Sequence, residues 1–254
     1  MDAQTPSPHS LHTDPLPTRA KVPHACGAGA ADAGLFDPVL VWDAPTRLVY
    51  WLMAACLAGA WATAGEGGWP QIHETLGSTI AGLALFRIAW GFAGTRHARF
   101  SSFVKGPRAI ARCLRSLRHG WAGRPIGHSP PGAALLIAVL LLALIAGASG
   151  WAGARFAPMR WLGDVHEVAA HAMLALAALH IAAAVFGSWR AGDNPLRSIV
   201  RGTRLGAPAE AIPSARGGMA WLVLVAVLGF WVFQWRSASD VPAPPVPRAM
   251  AVPA

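Results

Sequence analysis

His166 and His180 lie fourteen residues apart on one apolar stretch, HEVAAHAMLALAALHIAAAVF. At about 100° per residue, fourteen residues make about four helical turns, so both imidazoles leave the same helix face. At 1.5 Å rise they sit about 21 Å apart, within a hydrocarbon layer about 30 Å thick. One imidazole then lies near each side of a bilayer, which is the spacing of two haems stacked across it. Ionisable groups inside a membrane are costly and mark function by default. A b-type haem takes axial donors from two sides, and imidazole is the usual one. The partners must therefore come from other helices at matched depth.

The composition places these helices in a membrane. Of 254 residues, 54% are hydrophobic and 13% charged, against about 25% charged in soluble domains. Twelve Trp against one Tyr fit rings held at the two interfaces. Cys26, Cys56 and Cys113 have no metal-ligand spacing, and no Cys-x-x-Cys-His motif occurs, which argues against a covalently attached c-type haem. The net charge of +9 is explained by topology, and no nucleic-acid partner is expected.

Stretches of spanning length run over 46–64, 72–92, 133–151, 165–187 and 219–235. Eight Lys and Arg lie between the second and third, five between the fourth and fifth, none between the first and second, and two between the third and fourth. Basic loops stay cytoplasmic. The N-terminus is therefore expected on the cytoplasmic side and the Pro-rich C-terminus outside. The expected organisation is a disordered cytoplasmic tail over 1–38, a four-helix haem-binding domain over 39–205, and a linker, fifth transmembrane helix and outer tail over 206–254. The fold class is all-α integral membrane. Within the basic loop, Pro107 suits a first helical position. Ile110, Cys113, Leu114 and Leu117 share one face of the helix it would start, with arginines largely off that face, as in a helix lying on anionic lipid.

This layout selects partners. His73 opens span two from outside, at the depth of His166, so the two can clamp an outer haem. Gly77, one turn on, leaves room for a flat porphyrin. His180 needs a partner in the first turns of span one, where no His occurs and Tyr50, the only tyrosine, has the right depth. Arg87, fourteen residues after His73, lies on the same face about 21 Å further in, where an inner haem propionate or the lipid headgroups would take its charge. Arg47 at the inner mouth of span one faces the same choice. His171 points away from both haem positions. His97, His119 and His128 lie in the basic loop and are read as solvated, and His9, His12, His24 and Cys26 as scattered tail residues. Glu74 and Glu167 each follow an outer His in a first helical turn, where the dipole favours an anion.

The segments VWDAPTRLVYW, IHETLGSTIAGLALFRIAWGFAGTRHARFSSFVKGPRA, IGHSPPGA, and HEVAAHAMLALAALHIAAAVFGSW with the following DNPLRSIVRG resemble the bacterial cytochrome b561 and nickel–iron hydrogenase b-type cytochrome superfamily, over about Val41 to Thr203. The resemblance implies a four-helix core with two b haems, His73 and His166 on the outer one and His180 on the inner. It also implies an inner span-one ligand from an Arg-x-x-His-Trp motif, where this chain keeps Arg47 and Trp51 but has Tyr50 in place of the His. Three outcomes stand open: phenolate ligation by Tyr50, as in catalase; a five-coordinate haem on His180 with Tyr50 bonding a sixth ligand; or no inner haem. The cofactor expectation is haem b, one or two per chain.

The expected function is a membrane b-type cytochrome carrying electrons between the quinone pool and a redox partner, such as a periplasmic c-type cytochrome or an oxidoreductase subunit. The alternative is a non-redox membrane anchor or assembly subunit that keeps the fold. A transporter predicts inverted repeats or broken helices, and neither is visible in the sequence.

Overall fold

The computed structural model describes residues 37–65, 69–116, 127–156, 159–190 and 195–239. Five long helices dominate: α1 (Ala44–Ala62), α2 (Pro70–Ala93), α5 (Pro130–Arg155), α6 (Trp161–Arg190) and α8 (Gly217–Ser239). Short helices α3 (Phe100–Phe103), α4 (Pro107–Ser116) and α7 (Pro195–Arg201) gather at the end that carries the basic loops, here termed the basic end. The tail and loop residues His9, His12, His24, Cys26, Leu117 and His119 lie outside the described residues.

Local chemistry starts and stops the helices. Asp43 caps α1 by accepting from the Thr46 N–H at 2.9 Å, and Pro45 follows in the first turn. Ser129 caps α5 in the same way, accepting from Gly132 N–H at 3.3 Å ahead of Pro130 and Pro131. Both proline-led starts are at the basic end.

The helices pack as a row, α1 on α2, α2 on α5 and α5 on α6, with α8 against α1 and α2. The core runs through Cys56 and Ala60 of α1, Ile80 and Ala84 of α2, Ala133, Leu136, Leu140 and Ala143 of α5, and Met173 of α6. Small residues set the close approaches: a Cβ on Gly147 would meet the Ala81 side chain at 2.6 Å. Val49, Leu83, Val223 and Val227 seat α8.

Among the described residues, four helices are long and apolar enough to cross a membrane: α2, α5, α6 and α8. The first expected span, α1, has the length, but Pro45, Thr46, Arg47 and Tyr50 dilute its apolar character, whereas the expected fifth, α8, qualifies. Thr46 is almost fully buried, so the polar start of α1 faces protein. One feature is absent from the sequence reading. Strand β1 (Asp37–Leu40) pairs antiparallel with β2 (Thr203–Gly206), Asp37 opposite Gly206 and Leu40 opposite Thr203. This clip ties the entry of α1 to the segment after α7.

Candidate haem sites

At the end opposite the basic loops, the His73 and His166 rings lie with centroids 6.0 Å apart and planes at 74°. His73 Nδ1–H donates to the Ala60 carbonyl of α1 at 2.8 Å, and His166 Nδ1–H donates to the Ala146 carbonyl of α5 at 2.8 Å. A carbonyl only accepts, so both protons are fixed on Nδ1 and both Nε2 lone pairs are left bare. That is the usual arrangement of metal-binding imidazoles, with the second nitrogen oriented by a backbone oxygen. Two imidazole nitrogens bound at about 2 Å on opposite sides of one iron put ring centroids about 6 Å apart. The pair fits haem. Gly77 fits as well, since a Cβ built there would meet nothing within 4 Å. Gly150 of α5 makes room for His166 itself: a Cβ there would lie 2.7 Å from its Nδ1.

His171, expected to point away, is exposed and donates to its own helix at the Glu167 carbonyl, 2.9 Å. Glu74 pairs with Arg155 at 3.5 Å, both half-exposed.

The basic end departs from the sequence reading. His128, expected in solvent, is half-buried, with its Nδ1 shut off from solvent. Its Nε2 lies 3.0 Å from the Tyr50 hydroxyl, its ring is packed edge-on to Trp42 and tilted against Phe103, and its centroid is 6.4 Å from that of His180. Desolvation first, and then the Arg87 charge, push its pKa well below the usual histidine value. Two features bring His128 inside: the Ser129 cap turns the chain into α5, and Phe103 and Trp42 cover the ring. His97, also expected in solvent, is half-buried and bonds the Glu210 carbonyl at 2.8 Å.

Arg87 is fully buried, 0% exposed, and none of its three guanidinium nitrogens has a hydrogen-bond partner. Its guanidinium instead lies among the Tyr50, Phe100 and Phe103 rings, at 5.9, 5.4 and 5.9 Å from their centroids. A buried cation without an anion is expensive, so the residues present fit a group that brings carboxylates. Arg47 is engaged differently: Nη1 donates to the Val200 carbonyl of α7 at 2.6 Å, and its Nε is buried without a partner.

The sequence reading missed Asp43. Its carboxylate is 1% exposed, caps α1, and accepts from Trp90 Nε1 at 3.0 Å and Thr95 Oγ1 at 2.6 Å. It ties the start of α1 to the end of α2. Trp42, beside it, donates from Nε1 to Ser198 Oγ of α7 at 3.1 Å. The signal was the Asp-x-Pro-Thr helix start, which predicts the cap and not the two long-range donors.

Residues 41–202 match the protein family described as prokaryotic cytochrome b561. No curated protein and no solved structure matches the chain.

Proposed function

The chain belongs to the prokaryotic cytochrome b561 family, a membrane b-type cytochrome in electron transfer, and on that premise we propose that it carries electrons between the quinone pool and a redox partner outside the membrane. The observation that carries this reading is the His73–His166 pair, bare at both Nε2 atoms and spaced for one iron. Bound there, haem b supplies one-electron redox chemistry. The chain's own residues do the rest. The Ala60 and Ala146 carbonyls hold the imidazoles, Gly77 leaves a face open, and apolar helices exclude water.

Quinol gives up two electrons and two protons, so electrons would pass singly in two steps. An open groove of about 460 Å³ at the basic end is bounded by α1, α7 and α8, and lined by Arg47, Trp51, Val200 and Trp221. It has the size and largely apolar lining of a small-molecule site, and supports quinone as donor or acceptor. The basic loops favour the cytoplasmic side of a bacterial inner membrane for this end. The 21 Å or so between His166 and His180 along continuous α6 would cover about two thirds of the low-dielectric layer.

The test is reduction of the purified full-length protein by a short-chain quinol, followed in the haem absorption bands. Haem reduction at a quinol-dependent rate is expected. A haem-containing protein that quinol cannot reduce overturns the quinone assignment, and a haem-free protein supports the membrane-anchor reading instead.

A further inference from the structure

We propose that the donor pair at the basic end is His128 with His180, and that Tyr50 is the hydrogen-bond partner of His128 rather than a ligand. The proposal rests on the b-type cytochrome reading above and assigns the residues of its second site.

Four observations converge on it. The His128 and His180 centroids are 6.4 Å apart, close to the 6.0 Å of the other pair, and their rings are tilted by only 31°. Both Nδ1 atoms are buried without a hydrogen-bond partner, a state that buried polar atoms rarely keep unless something else fills it. The Tyr50 hydroxyl is already taken, at 3.0 Å from His128 Nε2. With Nε2–H donating to the phenol oxygen, His128 Nδ1 carries the lone pair a metal needs, and either ring nitrogen can ligate. The phenol then plays the part that backbone carbonyls play at the other pair. Finally, the partnerless Arg87 guanidinium lies over the Tyr50 and Phe103 rings, beside the His128 pocket, where a carboxylate-bearing group would neutralise it.

The consequence is a ligand moved between elements. Tyr50 on α1 occupies the position that would hold a span-one donor, and the imidazole comes from the turn that starts α5. Ser129 capping α5, Trp42 packed at 5.0 Å from the His128 ring and the Tyr50 hydroxyl of α1 together fix that turn.

The test uses the full chain in detergent, with haem per polypeptide, optical and electron-paramagnetic-resonance spectra, and redox titration as readouts. Wild-type protein should hold two low-spin haems. His128→Ala should lose one or turn it high-spin, leave the His73–His166 haem untouched, and recover the low-spin signal on adding free imidazole. Tyr50→Phe should keep both haems low-spin and raise the potential of one, because the ligand loses an acceptor that makes it more basic. Loss of the low-spin signal in Tyr50→Phe, or two unchanged haems in His128→Ala, would overturn the assignment. So would a single wild-type haem indifferent to His128→Ala, although the cytochrome reading would then stand. Only a haem-free wild type defeats both.

Discussion

The Tyr50 hydroxyl lies 3.0 Å from Nε2 of His128, a residue 78 positions further along the chain. This bond joins the first turns of α1 to the turn before α5. It also gives Tyr50 a hydrogen-bonding role beside the proposed donor pair. A tyrosine facing His180 alone would have to ligate, bond a sixth ligand, or stand beside no haem. Facing His128, it has a further use.

Removing either member of the other pair should cost one haem. His73→Ala and His166→Ala are each expected to lower haem per polypeptide by one while the helical content stays unchanged. His171→Ala, on an exposed imidazole bonded to its own helix, should leave stoichiometry and spectra as they are. Pyridine haemochrome assay against protein concentration checks all three.

Two glycines should separate support of a ligand from space for a cofactor. Gly150→Ala places a Cβ 2.7 Å from His166 Nδ1, so the imidazole must leave the Ala146 carbonyl. Haem at that pair should be lost or turn high-spin. Gly77→Ala meets nothing in the protein, so the haem-free chain should tolerate it. Gly77→Phe should fold yet exclude haem. Equal haem retention in all three variants would remove the porphyrin from this face.

Arg87→Met should have opposite effects on the empty and loaded protein. Without haem it removes a buried charge with no partner, so the chain should gain about 1–3 kcal/mol in detergent. With haem it removes a cation, so the ferric state is favoured and the midpoint potential falls by about 59 mV for each tenfold change in the one-electron equilibrium. Thermal unfolding with and without haem, and redox titration, test each half. A variant less stable than wild type in both states would show that the guanidinium serves the aromatic packing alone.

Asp43→Ala should be among the more damaging single changes away from any histidine. It loses the α1 cap, about 1 kcal/mol, and strands the Trp90 and Thr95 donors at about 1–3 kcal/mol each. Asp43→Asn keeps an acceptor and should be milder. Unfolding midpoints in detergent rank them, and equal midpoints would mean the junction of α1 and α2 is held by packing.

Periodicity made the helices legible, because a membrane imposes length and apolarity residue by residue. Amphipathic α4 was legible from Pro107 onward; of the face expected on lipid, Leu114 is half-exposed, while Cys113 is buried against protein. The β1–β2 clip was not legible: four-residue strands at positions 37 and 203 carry no periodic signal and exist through each other's hydrogen bonds. Nor was Asp43 as a junction, since its donors sit 47 and 52 residues away.

By itself the sequence determined the membrane class, the family, and the depth pairing of His73 with His166, because helical rise converts residue number into depth. It could not determine what faces His180. Depth arguments search only the helices, and His128 precedes one. Only the tertiary structure, by capping α5 at Ser129 and closing Trp42, Phe103 and Tyr50 around the ring, decided that a histidine in a basic loop packs beside another. The physical reason is that a turn's position depends on what covers it, and the residues that cover this one come from α3 and from the start and first turns of α1.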